Sequence, residues 1–337
     1  LDSYKEYAAQ LQEQDLAYKC YCTPEELEEM RQKQQARGEA PGYNGKCRNL
    51  TEQERQKLEA EGRESVLRFK SPAREEEIIV EDVIHGEVSF SSDEIDDFVI
   101  FKSDGTPTYN FAVVIDDYLM DISHVIRGED HLSNTPKQLL IYKALDWAAP
   151  KFAHLPMILG SDRSKLSKRS GEEYVYVSEY RKKGYLPEAL VNFLSLLGWS
   201  PSEEEELFSK EEIVDRFSLD RVNKSSAVFD VEKLNWMNGV YIRESDLGRI
   251  VDQARSYLQE EYDISDKSRE WLELLVSTVR ESLSYLAQIT EEAEVFFSEL
   301  EYEDEQQAKE LFQTEDVDQV LSTLKERLAE ADNFRAQ

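Results

Sequence analysis

No apolar run approaches the roughly 18 residues a membrane-spanning helix needs, and the first residues carry no basic-then-apolar leader pattern, so a soluble cytoplasmic protein is expected. Histidine is scarce, and none of His85, His124, His131 and His154 stands in an HExxH or other paired-ligand spacing. There is no G-x-S-x-G elbow and no Walker phosphate loop, which argues against serine-hydrolase and P-loop chemistry. What remains is group transfer by positioning and electrostatics, without a covalent protein intermediate. Cations are in deficit: 40 Lys+Arg face 71 Asp+Glu, a net charge of −31. Such a chain repels polyanions unless its cations are gathered locally, so nonspecific coating of nucleic acid is disfavoured while a specific basic track is not. The same balance suits a salt-adapted organism, where repulsion is screened within a few ångströms at about 1 M salt. The three cysteines all lie between residues 20 and 47, odd in number and too local for a secreted disulfide framework.

Against this acidic background one segment stands out. An apolar run, Leu155-Pro156-Met157-Ile158-Leu159, leads through Gly160-Ser161-Asp162-Arg163 into Ser164-Lys165-Leu166-Ser167-Lys168-Arg169. Taken alone, a short cationic run reads as a solvated face. At the end of a buried strand it makes a mobile clamp for polyphosphate, able to follow charge onto departing pyrophosphate.

The periodicities give the chain its outline. Residues 2 to 18 read as an amphipathic helix broken at Cys20-Tyr21-Cys22. Thr23-Pro24-Glu25-Glu26 begins a polar helix, and Thr51 with Glu54 caps another. From residue 65 to 101 the period falls towards two, and Val66–Phe69, Ile78-Ile79-Val80, Val83-Ile84, Val88-Ser89-Phe90 and Phe98 to Phe101 predict the short strands of a small β-rich subdomain. A strand at His124-Val125-Ile126, a helix over 135–147 and a strand at Ile158 form the unit of a doubly wound parallel sheet, whose ligands sit beyond the carboxyl ends of its strands. Arg127 and the Lys165 loop both lie at such ends. After residue 172 the spacing is helical throughout, including one long helical stretch over 266–289.

Two constellations carry chemistry. Arg127, fixed at a strand end, suits bidentate capture of a carboxylate, and Tyr109 could add a hydroxyl to the same ligand; the competing reading is that Arg127 caps a helix or pairs with Asp130. Cys20, Cys22 and Cys47 supply three donors for a tetrahedral zinc ion, with Tyr43, Asn49 or water as the nearest fourth; the competing reading is two inert buried cysteines and a stray.

Asp104 to Asp117 (DGTPTYNFAVVIDD), His124 to His131 (HVIRGEDH) and Lys165 to Arg169 (KLSKR) together closely resemble the bacterial-type glutamyl-tRNA synthetases, class I aminoacyl-tRNA synthetases. Gly184-Tyr185-Leu186-Pro187-Glu188-Ala189-Leu190, Leu197-Gly198-Trp199-Ser200 and residues 230–238 extend the resemblance over essentially the whole chain. It implies an α/β plus all-α architecture. Residues 1–105 would be the acceptor-stem-binding insertion with its zinc site, and 106–172 the second half of the nucleotide-binding catalytic domain. Residues 173–244 would form a helical stem-contact domain, and 245–337 an incomplete helical anticodon-binding region. The implied reaction activates L-glutamate with Mg2+-ATP to glutamyl adenylate and passes the glutamyl group to the 3′ end of tRNA(Glu), with tRNA(Gln) as a second candidate.

The resemblance further implies Arg127 and Tyr109 for glutamate, and Asp130, Ile158, Lys165, Ser167, Lys168 and Arg169 for ATP. Lys165 and Lys168 would be the catalytic cations, and Cys20, Cys22, Tyr43 and Cys47 the zinc ligands, although Asn49 stands where some members have histidine. A monomer without membrane contacts is expected. The family's HIGH-like motif is not in this sequence, so the chain is expected to begin after it, to stop short in the anticodon-binding region, and not to aminoacylate alone. The alternatives are a noncatalytic tRNA-binding derivative and a glutamyl-transferring paralogue acting on a modified tRNA base, which would end near the stem-contact region.

Overall fold

The computed structural model describes residues 1–72, 76–166, 176–201, 205–298, 305–312 and 315–330. It divides into two compact units: Leu1–Leu159 with Gly198–Glu204 and Arg216–Val228, and Gly160–Leu197 with Glu205–Asp215 and Phe229–Gln337.

The strands of the first unit are β1 (Ala17–Cys20), β2 (Val66–Phe69), β3 (Glu77–Asp82), β4 (Gly86–Ser91), β5 (Val99–Phe101), β6 (His124–Gly128), β7 (Lys151–Leu155), β8 (Ile158–Leu159) and β9 (Ala227–Val228). They form sheets in the orders β1-β2-β5, β4-β3-β7-β6 and β8-β9. The opening helix, Asp2–Glu13, ends earlier than its sequence pattern predicts. Asp15 takes a left-handed φ of 57°, and the chain enters β1, which pairs antiparallel with β2. Tertiary contacts override the local pattern here: Tyr18 is buried and its hydroxyl donates to Asp97 Oδ2 at 2.6 Å.

Residues 65–101 do not make a separate β subdomain. Strands β2 and β5 join β1, while the β3–β4 hairpin extends the sheet of β6 and β7, with β3 parallel to β7 through Asp82 opposite Phe152. Val83 and Ile84 are hairpin turn rather than strand, because Asp82 Oδ1 accepts from the N–H groups of Ile84 (2.9 Å) and His85 (2.8 Å) and curls the chain.

A strand–helix–strand unit is present, but its second strand is β7 and not the predicted strand at Ile158, which is exposed and lies in the two-residue β8 of the separate β8-β9 sheet. Strands β6 and β7 pair in parallel from His124 opposite Lys151 to Gly128 opposite Leu155, joined through the helix Thr135–Ala144 with Pro136 in its first turn. This helix and the helix Tyr109–Leu119 bury Phe111, Val114, Ile115, Leu140 and Ile141 in one core with Ile100 and Phe152. The helices Pro24–Ala36 and Glu52–Ala60 bury no residue fully; Thr51 and Glu54 form the predicted capping box, and the predicted start at Thr23 is also a capping box, with Glu26. Each such cap contributes about 1 kcal/mol, which matters most in helices with no buried face.

The second unit is helical among its described residues. Leu186, Ile242, Ile250, Ala254, Val276 and Ile289 are buried at its centre. The helical pattern over 266–289 breaks: the helix Arg269–Val279 stops, and a short 3-10 turn follows at Leu286–Gln288. The fully buried Asn238 explains the break, since its amide donates to the Ser284 carbonyl at 2.5 Å and accepts from Leu186 N–H at 2.8 Å. The first bond takes the Ser284 carbonyl as its acceptor, and the second fixes the Asn238 amide that donates to it.

Candidate functional site

The guanidinium of Arg127 is the centre of the first unit's polar cluster. Strand β6 carries it to the carboxyl end of the sheet, where neutral groups hold it from several sides. Nε donates to His154 Nε2 at 3.1 Å. Nη2 donates to Thr135 Oγ1 and Gln138 Oε1, each at 2.9 Å, and lies 3.4 Å from the His131 carbonyl oxygen. Gln138 is fixed in turn by donating to Asn110 Oδ1 at 3.0 Å. Nη1 is left facing the Tyr109 hydroxyl at 3.5 Å. Among the described residues no carboxylate makes an ion pair with Arg127, and Asp117 feels its charge only from further off. The bidentate capture expected from sequence is therefore narrowed: Nε and Nη2 are committed to the interior, and Nη1 with the exposed Tyr109 hydroxyl is the face open to a ligand.

Behind Arg127 lies a second layer. His154 and Asp82 have fully buried side chains, and His154 Nδ1 sits 2.6 Å from Asp82 Oδ2. Burial pulls the His154 pKa below its ordinary value although Asp82 pushes it up. Burial acts to raise the Asp82 pKa, but hydrogen bonds from His85 N–H, the His154 ring and Ile84 N–H outweigh it, and the carboxyl ends below the usual range. Close by, burial raises the Asp117 pKa, with Arg127 opposing the shift.

The residues predicted for a nucleotide fall in three places. Asp130 lies in the 3-10 turn Glu129–Asn134 directly after β6 and folds back over Gly128, where a Cβ would stand 2.6 Å from its Oδ1. Ile158 is in β8, paired in parallel with Ala227, and the preceding Met157 N–H donates to Glu129 Oε1 at 3.0 Å, which ties the turn after β6 to the approach of β8. Lys165 belongs to the second unit, in a loop where Gly160 N–H donates to Ser164 O at 2.9 Å and Asp162 caps Ser164 N–H at 2.8 Å. Ser167, Lys168 and Arg169 lie outside the described residues.

The three cysteines do converge. The Sγ atoms of Cys20, Cys22 and Cys47 lie within 4.8 Å of one another, with Cys22 to Cys47 at 3.6 Å. Tyr43 joins them: its hydroxyl is 3.4 Å from Cys20 Sγ and accepts from Cys47 N–H at 2.8 Å. Sulfurs bound to one tetrahedral zinc at about 2.3 Å stand about 3.8 Å apart, so this donor set fits the ion. Hydrogen bonds from Cys22 and Cys47 pull the Cys20 thiol down, while the same cluster pushes Cys22 up. Asn49, the other candidate donor, is exposed.

Asp82, His154, Thr135 and Gln138 escaped sequence reasoning. His154 has no ligand-like spacing, and Asp82 is 72 residues away in the chain, so only the β3–β7 pairing brings them together.

A family model described as tRNA synthetases class I (E and Q), catalytic domain, matches residues 1–236, and an anticodon binding domain model matches residues 249–337. The glutamate–tRNA ligase of Bacillus licheniformis is 50% identical over 340 residues, 99% of this chain and 70% of that protein. That of Carboxydothermus hydrogenoformans is 51% identical over 98% of this chain and 69% of its own length. The crystal structure of a glutamate tRNA ligase from Elizabethkingia meningosepticum, in complex with its amino acid, superposes with a TM-score of 0.85 at 34% identity, covering 98% of this chain and 70% of that one.

Proposed function

We propose that this chain, which belongs to the class I tRNA synthetases of the glutamate and glutamine group and matches glutamate–tRNA ligases over nearly its whole length, serves that ligase activity in the full-length enzyme with Arg127 and Tyr109 as its amino-acid pocket. The observation that carries this reading is the Arg127 guanidinium, without an ion-pair partner among the described residues and held by neutral groups with Nη1 turned towards an exposed tyrosine. A cation kept without a protein counter-ion is pre-organised for a ligand carboxylate. In adenylate formation the α-carboxylate attacks the α-phosphorus of ATP and pyrophosphate leaves; the tRNA 3′-terminal hydroxyl then attacks the adenylate carbonyl and AMP leaves. The α-carboxylate must be free to attack, so the rigid Arg127 suits the side-chain carboxylate.

Asp130 and the Ile158 backbone would receive the nucleotide, and Lys165, Ser167, Lys168 and Arg169 its phosphates, with Mg2+ entering on ATP. Lys165 and Lys168 would stabilise the charge that develops as pyrophosphate departs. Cys20, Cys22, Cys47 and Tyr43 would hold a structural zinc ion that closes the loop between them. Residues 1–105 and 173–244 would contact the acceptor end and stem of tRNA, and 245–337 its anticodon arm, in a monomer acting in the cytoplasm. The anticodon-domain match over 249–337 favours this reading over a paralogue ending near the stem-contact region. Charging assays with tRNA(Glu) and tRNA(Gln) decide whether the second is also a substrate.

The test of the pocket is Arg127→Gln in the full-length enzyme, read by ATP–pyrophosphate exchange. Losing a charged hydrogen bond should raise the KM for glutamate on the order of 10- to 100-fold and leave the KM for ATP nearly unchanged. An unaltered glutamate KM would remove Arg127 from the pocket.

A further inference from the structure

Arg127 Nε carries one hydrogen and can only donate, so the His154 Nε2 that it meets at 3.1 Å must present a lone pair. The ring proton of a neutral His154 is then on Nδ1, where it donates to Asp82 Oδ2 at 2.6 Å. Asp82 is itself held by the N–H groups of Ile84, His85 and His154, the last at 3.1 Å. The chain Asp82, His154, Arg127 is thus directional: carboxylate, imidazole in one tautomer, guanidinium.

We propose that Asp82 and His154 are positioning residues for the amino-acid pocket, fixing the imidazole tautomer that holds Arg127 in its ligand-ready orientation. The proposal rests on the reading of Arg127 as the carboxylate ligand. Its physical logic lies in what stands next to the guanidinium. A carboxylate in direct contact would neutralise Arg127 and compete with the substrate for it. A neutral imidazole accepts the Nε hydrogen without cancelling the charge, and the anion that orients it stays one ring further back. Thr135 reinforces the arrangement, with Oγ1 3.2 Å from His154 Nε2 and 2.9 Å from Arg127 Nη2. The charged and titratable groups around His154 are Asp82 from β3, Arg127 from β6 and His85 from the turn after β3; burial, with Arg127, favours the neutral ring against the pull of Asp82.

Three variants of the full-length enzyme test this by ATP–pyrophosphate exchange. His154→Leu keeps the volume and removes the acceptor; it should raise the glutamate KM on the order of 10-fold or more, with little change in the KM for ATP. His154→Gln restores an acceptor and should recover most of the loss. Asp82→Asn lets the side-chain amide offer N–H to Nδ1, which turns the tautomer and should also raise the glutamate KM. Nitrogen NMR of histidine-labelled protein reads the same feature without kinetics, and stays decisive should the Leu variant not fold: wild type should show Nδ1 protonated and Nε2 bare. A protonated Nε2 in wild type, or a folded His154→Leu enzyme with normal glutamate KM, overturns the proposal. So does a Leu variant whose glutamate and ATP KM values rise equally. If Arg127→Gln raises the glutamate KM while His154→Leu does not, the pocket stands and the positioning role falls; if neither does, the pocket itself is wrong.

Discussion

Arg127 has no ion-pair partner among the described residues. Five N–H donors on a guanidinium usually find a carboxylate; here the interior offers an imidazole, a hydroxyl, an amide and a carbonyl, and the charge remains available. The buried Asp82–His154 pair also links stability to pH. His154 has its folded pKa below the ordinary 6.5, so below that pH the unfolded chain takes up a proton that the folded chain resists, and stability falls as pH drops. Asp82, also lowered, stabilises the fold above its ordinary 3.8, a contribution lost as pH falls through its folded value. Thermal melts from pH 7.5 to 5.5 should show a declining Tm that flattens in His154→Gln; an equal slope in both would mean that other groups set it. At this scale the sequence exposed Arg127 and Tyr109, which sit in distinctive local strings, but not His154, whose partner is remote.

Local chemistry sets where elements begin, and packing decides several of their ends. The capping boxes at Thr23 and Thr51 were legible because the Thr and Glu involved are three residues apart. The end of the helix Val177–Lys183 depends on Gly184, at φ 77°, where a Cβ would lie 2.7 Å from Leu286 Cβ and 2.8 Å from the Tyr257 hydroxyl. Gly184→Ala should therefore cost about 1–3 kcal/mol, read as a lower denaturation midpoint with unchanged slope; a neutral result would mean that the Leu286 segment yields freely. The loop from Cys20 to Cys47 is an element held by its own side chains. Zinc should copurify with the protein and be lost in Cys47→Ser with a fall in Tm, whereas a fully folded, metal-free wild type would favour the reading as core cysteines.

At the scale of the whole molecule the net charge of −31 is the dominant fact. Self-repulsion opposes compactness at low ionic strength, so Tm should rise with added KCl as the screening length shrinks from about 30 Å at 0.01 M to about 3 Å at 1 M. A salt-independent Tm would show that the carboxylates are already balanced locally, as in the ion pairs Arg48–Asp97 at 2.6 Å and Arg249–Glu188 at 2.6 Å. Binding of the proposed tRNA partner would work against this field and should weaken as salt rises.

The sequence by itself determined the family, the helices and strands that lead to Arg127, the cysteine cluster, and Arg127 and Tyr109 as the pair proposed for the carboxylate. These are properties of short, contiguous strings whose spacing carries their chemistry. Tertiary structure decided where residues 65–101 go, that Ala17–Cys20 is strand, that the chain breaks after Val279, and that Asp82 stands behind His154. Each depends on a partner far along the chain: a strand edge, a buried amide or a carboxylate. Such pairings are settled by which buried hydrogen bonds the folded interior can satisfy, and no local pattern records them.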